Sequence, residues 1–170
     1  MDTDTAPAAA SPIDVLALIA DAPAIQMRAT FESEGETFDL TLALFDRARV
    51  QQIQRAVMVK EFERGGRVSE HVDDRKLRQL LTPSVLSWSG LTGRKLAVYC
   101  RKALPPVHVN GHADALAKEL PCEPRTVQFL MEHALAVRPD GTRGFTDWLW
   151  EQLTGAADKL AAVEAEKKSS

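Results

Sequence analysis

The chain reads as an α+β fold, mostly helical, with an N-terminal β-hairpin packed on helices and a C-terminal helical part. Three observations predict it. Apolar and polar residues alternate with a period of two through residues 24–44, on either side of a glycine turn. From residue 46 onward the apolar spacing changes to three and four, and capping residues recur. The rigid pair Pro105-Pro106 separates the two parts. The 170 residues suit one or two domains. They divide into a disordered N-terminus over 1–10, a hairpin-plus-helix domain over 11–104, a C-terminal helical part over 105–160 and a frayed tail over 161–170.

Residues 1–10 are small and polar without periodicity, which predicts disorder. Ser11 is a natural N-cap, Pro12 fits the first helical position, and Asp14 favours the positive end of the helix dipole. A short helix follows with Val15, Leu16 and Ile19 on its apolar face, ended by Ala22-Pro23. Ile25, Met27, Ala29 and Phe31 then alternate with polar residues up to Ser33-Glu34-Gly35, and Phe38, Leu40, Leu42 and Leu44 resume the alternation. This predicts a hairpin with one buried face. A lone hairpin is marginal in water, so it needs a helix, another strand or another copy of the protein against it.

Asp46 caps the next helix, which carries Val50, Ile53 and Val57, continues through Met58 and Phe62, and stops at Gly65-Gly66. Val57-Met58-Val59 also fits a strand. Asp73 or Asp74 caps a helix bearing Leu77, Leu80 and Leu81. Thr82-Pro83 restarts the chain toward Val85, Leu86 and Trp88. Gly90 and Gly93 break the pattern, residues 96–104 fit helix or strand, and Asn110-Gly111 marks a turn. Three helices close the chain, over 113–120, over 123–137 with Val127, Leu130, Met131 and Ala134 inward, and over 146–163 with Leu149, Trp150 and Leu153 inward.

The net charge of −3 conceals segregation. Residues 1–45 hold eight acids and one base, and residues 46–102 hold thirteen bases and six acids. The acidic part can pack on the basic middle, both can be solvated faces, or the middle can dock an acidic partner. Glu61, Glu63, Asp73 and Asp74 interrupt the basic stretch, and aromatics make up only 6% of the chain, which argues against nucleic-acid binding. No apolar run approaches the ~20 residues that span a bilayer. The acidic, Ala/Pro-rich start predicts no secretory signal. Two lone thiols, Cys100 and Cys122, then read as buried hydrophobes of a cytoplasmic protein.

Residues able to carry chemistry are sparse. His108 and His112 lie four apart but flank Asn110-Gly111 and follow two prolines, and a zinc site needs three or four ligands. Cys122 with His133, or Cys100 with His71, has the composition of a nucleophile and base without any supporting motif. Asp73-Asp74 reads as a cap, since adjacent residues on a helix do not face one another. Gly65-Gly66-Arg67 lacks phosphate-loop spacing. Trp88, Trp148 and Trp150 remain as candidate anchors, because aromatics concentrate at interface hot spots. Trp148 and Trp150 sit two apart and point to different sides of a helix, so one can be core while the other is partly exposed.

Several of these segments, taken in order, resemble the tail assembly chaperones of long-tailed, siphovirus-like bacteriophages. Phe38-Asp39-Leu40-Thr41-Leu42 matches the family's extended segment, and the stretch from Arg47 to Arg55 its basic helix. Trp88-Ser89-Gly90-Leu91-Thr92 matches its Trp-Gly element, residues 121–130 a following helix entry, and residues 145–152 the closing helix. The resemblance runs over residues 12–155 and is broken by the inserted residues 94–118. It implies a non-catalytic protein of the bacterial host cytoplasm, without cofactor. Such a protein binds and solubilises the tape-measure protein, helps recruit tail-tube subunits and is absent from the finished particle, with self-association open. Trp88, Trp148, Trp150, Arg47 and Arg55 are the candidate partner-binding residues. The competing reading is a structural or adaptor protein retained in a virion or other complex.

Overall fold

A computed structural model describes residues 25–62, 66–103 and 112–169. The expected first helix, the N-terminal tail, the Pro105-Pro106 seam and the Asn110-Gly111 turn fall outside the described residues.

The hairpin forms as the alternation predicts. Strand β1 (Gln26–Ser33) pairs antiparallel with β2 (Glu36–Ala43), from Gln26 opposite Ala43 to Ser33 opposite Glu36. Two residues make the turn, Glu34 at φ 53° and Gly35 at φ 82°. Positive φ at both positions matches the right-handed twist of the flanking strands, and Gly35 occupies the second without a Cβ clash. The inner face of the hairpin carries Ala29, Phe31, Phe38, Leu40 and Leu42, all buried.

Helix α1 (Arg47–Val57) starts at Asp46, whose carboxylate accepts the Arg49 N–H at 2.6 Å. It buries Val50, Ile53 and Val57. The helix does not continue through Met58 and Phe62 as the spacing predicts, but ends at Val57. The backbone turns extended at Met58 (φ −73°, ψ 122°), and β3 (Met58–Phe62) pairs with β4 (Val68–Val72). Residues four apart lie on one face of a helix and also on one face of a strand. Met58 and Phe62 therefore fitted both, and pairing with residues 68–72 decides for the strand.

Helix α2 (Asp74–Leu81) is capped by Asp73, which accepts the Lys76 N–H at 3.0 Å. Thr82–Ser84 form a short 3₁₀ turn, and the chain then enters β5 (Val85–Ser89), which adds to β2 and completes a three-stranded sheet in the order β1-β2-β5. Helix α3 (Gly93–Tyr99) follows Thr92, whose hydroxyl accepts the Lys95 N–H, and α4 (His112–Ala117) packs beside α3. Helix α5 (Pro124–His133) ends short of residue 137 because Leu135–Arg138 (β6) pairs with Gly141–Gly144 (β7). Pro139-Asp140-Gly141 is the turn signal for that hairpin. Helix α6 (Phe145–Ser169) closes the chain.

The expectation of a mostly helical chain with a wholly helical C-terminal part is thus overturned. Helix accounts for 52% and strand for 30% of the described residues, in three small antiparallel sheets. In two of the three sheets one strand, β3 or β6, lies in a stretch whose spacing fitted helix.

One hydrophobic cluster joins the three-stranded sheet to α1, α2, α3, α5 and α6. Ile53, Val57, Leu77, Leu81, Tyr99, Leu130, Met131, Phe145, Trp148 and Leu149 all join the inner face of the three-stranded sheet in it. Phe31, fully enclosed, lies 5.0–5.5 Å between ring centroids from Phe38, Tyr99, Phe145 and Trp148. A buried polar tie crosses the molecule beside it. The Ser33 hydroxyl donates to the Leu135 carbonyl at 2.7 Å and accepts the Val137 N–H at 2.9 Å, while the Glu34 N–H donates to the Val137 carbonyl. Ser33→Ala removes the partner of two half-buried backbone groups of β6, so the variant should lose about 1–3 kcal/mol of stability in urea unfolding.

Candidate partner-binding surfaces

The Trp-Gly element is built into the fold. Trp88 is 8% exposed, stacks edge-on against Phe38, and donates its indole Nε1–H to the Leu120 carbonyl at 2.7 Å. Gly90 turns the chain at φ 80°, a conformation side chains resist, and this swings fully buried Leu91 into the core and Thr92 into its capping position. The Leu120 N–H donates to the Leu91 carbonyl at 2.8 Å, fastening the segment that follows α4 to the same element. Trp148 is 3% exposed and packs on Phe31 and Phe145. Trp150 is half-buried and packs against the core from outside. Of the three tryptophans, two are enclosed by this chain's own core and one keeps an accessible edge.

Arg47 and Arg55 are exposed at opposite ends of α1, and neither takes part in a salt bridge among the described residues. Arg47 at the first helical position meets the positive end of the helix dipole and so contributes nothing favourable to the helix. Arg55, in the last turn, complements the dipole. Part of the charge segregation resolves inside the molecule. Arg101 reaches Glu34 at 3.4 Å, and Lys95 reaches Glu36 at 4.0 Å and donates to the Thr37 carbonyl. Basic groups around α3 thus meet the acidic hairpin turn, while Arg47 and Arg55 of α1 face solvent and Arg49 donates to Gln52 Oε1 at 2.7 Å.

Apolar groups are uncovered at several places among the described residues, and two of these surfaces are candidates for binding. The first is an open groove of about 500 Å³ where the outer ends of β1 and β2 meet α6. Met27 and Leu44 form one wall, Gly155 and Ala156 keep the floor low, and Leu160 and Val163 extend the wall along α6. Glu151 and Lys159 stand among its lining residues. Helix α6 buries side chains from Phe145 to Ala157 and is exposed from residue 162 to Ser169.

The second is the β3–β4 arm. It leaves the body between α1 and α2, closed at its base by the Asp73 N–H donating to the Val57 carbonyl at 2.8 Å. One face carries Met58 opposite Val72, Lys60 opposite Glu70, and Phe62 opposite Val68. All four apolar members are exposed, Phe62 to 82%. Lys60 Nζ lies 2.9 Å from Glu70 Oε1, and this hydrogen bond holds the Lys60 ammonium above its ordinary pKa. The signal for the arm was present in the sequence as Met58-x-Lys60-x-Phe62 facing Val68-x-Glu70-x-Val72.

Other reactive groups are arranged for packing. Burial pushes the thiols of Cys100 and Cys122 up, which keeps them protonated and poorly nucleophilic at neutral pH. Cys100 is buried at the end of α3, whereas His71 is exposed on the arm. His133 packs against Phe129 in a tilted arrangement, with ring centroids 4.6 Å apart. No cluster of three His, Cys, Asp or Glu suited to a metal occurs among the described residues; His108 and the side chain of His112 lie outside them. No described helix is long and apolar enough to cross a membrane.

Tyr99, the only tyrosine, has a buried hydroxyl without a hydrogen-bond partner, and burial raises its pKa well above the ordinary 10. Below that value both folded and unfolded chains hold the proton, and stability is unaffected. Above it the unfolded chain ionises first, so stability falls as pH rises. Phenolate absorbance should therefore appear only together with alkaline unfolding, and Tyr99→Phe should flatten the alkaline loss.

No family model, curated protein or solved structure matches this chain.

Proposed function

We propose that this protein is a non-catalytic assembly chaperone of bacteriophage tails, acting in the host cytoplasm. On this reading it binds and solubilises the tape-measure protein and helps recruit tail-tube subunits. The groove beside α6 carries the proposal. It is open, apolar along its walls, low at Gly155 and Ala156, and bounded by a helix that continues past the body of the fold. A second helix lays an apolar face into such a groove through residues spaced three and four apart. A tape-measure protein presents long apolar helical faces until the tube encloses them, and such faces aggregate unless covered. The ordered resemblance of residues 12–155 to the tail assembly chaperones supplies the biological setting.

Co-expression with the tape-measure protein of the same genome tests the reading. The tape-measure protein should become soluble and copurify with this chain. Leu160→Glu places a charge in the groove wall at a site outside the core cluster, and should weaken that complex roughly tenfold or more while leaving the thermal melt of the free protein unchanged. A tape-measure protein that stays insoluble overturns the proposal. Mass spectrometry of purified particles should lack this chain; its presence there would make it a structural component.

A further inference from the structure

We propose that the exposed face of the β3–β4 arm is a self-association surface whose occupant is the same face of a second copy. The inference stands apart from the chaperone reading and uses none of the groove residues.

A two-stranded hairpin standing alone is marginal in water, and this one turns four apolar side chains outward. The order of its cross-strand pairs is apolar, charged, apolar: Met58 with Val72, Lys60 with Glu70, Phe62 with Val68. The charges on the two strands are opposite in sign. When two such faces stack with a two-fold axis between them, parallel to the strands, β3 of each copy lies over β4 of the other. Lys60 then sits over the second copy's Glu70, Phe62 over its Val68, and Met58 over its Val72. Every apolar group meets an apolar group and every charge meets its opposite, twice over. An isologous interface requires this self-complementarity. A wholly apolar helix laid on this face would strip solvent from the Lys60–Glu70 pair without supplying partners for it, which is costly.

The face is small beside the roughly 800 Å² per partner of a standard interface, so the association is concentration-dependent. Charge variants read it without touching the core. Lys60→Glu makes the central pair doubly acidic, and Glu70→Lys makes it doubly basic. Sedimentation velocity of the full chain should show a monomer–dimer equilibrium for the wild type. Each single variant should associate at least roughly tenfold more weakly. An equimolar mixture of the two variants should recover a dimer, because an acidic face then meets a basic one. Recovery in the mixture also proves that both variants are folded. An ion pair serving only within one arm would not be restored by mixing. A wild type that stays monomeric up to about 1 mM, or a mixture no more associated than its parts, overturns the proposal.

Discussion

Phe31→Ala should cost about 3–5 kcal/mol, the upper end of what one core truncation removes. The ring is fully enclosed and sits at the meeting point of four others: Phe38 from its own hairpin, Tyr99 from α3, and Phe145 and Trp148 from α6. Three edge-on contacts, to Tyr99, Phe145 and Trp148, each add favourable quadrupole geometry beyond the area buried. Their owners come from the middle and the C-terminal part of the chain, so the cavity left behind cannot collapse by moving one element alone. Domain stabilities are about 5–15 kcal/mol, so this single change takes a large share. Urea unfolding followed by tryptophan fluorescence reads the loss directly, since Trp148 lies against the deleted ring.

Trp88→Ala should be nearly as severe, about 3–5 kcal/mol, and its two components can be separated. Trp88→Phe keeps one aromatic ring near Phe38 but removes the indole N–H together with the second ring, leaving the Leu120 carbonyl without its donor. That variant should lose about 1–3 kcal/mol. It should also loosen the segment after α4, which hydrogen exchange at the Leu120 amide would report through its bond to the Leu91 carbonyl. Equal losses in the Phe and Ala variants would show that this corner is fixed by the part of the indole that phenylalanine lacks.

The hairpin of β1 and β2 was legible in the sequence because nothing competes with strict alternation around Glu34-Gly35. The caps at Asp46, Asp73 and Thr92 are local hydrogen-bonding devices; the first could be read directly, and the second was narrowed to Asp73 or Asp74. What escaped were the strands whose apolar residues fall four apart, or whose partner lies in a stretch with no apolar pattern of its own. Met58 and Phe62 fitted a helix, and the partner of β6 is Gly-Thr-Arg-Gly. Pairing is a non-local fact, and sequence spacing carries only local ones. The candidate anchors illustrate the same limit. A tryptophan is costly to leave exposed and equally useful inside, and Trp88 and Trp148 are inside. The arm was hidden because its apolar residues looked like the core face of a longer α1.

The Ser33 tie sets a schedule for biosynthesis. Its partners Leu135 and Val137 are made 102 and 104 residues later. At about 5–20 residues per second, β1 waits roughly 5–20 s for the strand that satisfies its hydroxyl. Phe31 waits longer still, because Phe145 and Trp148 emerge after β6. The nascent first half therefore leaves the ribosome with its aromatic centre unroofed, and native closure waits until α6 has emerged. Truncation anywhere before α6 would freeze the chain in that open, adhesive state.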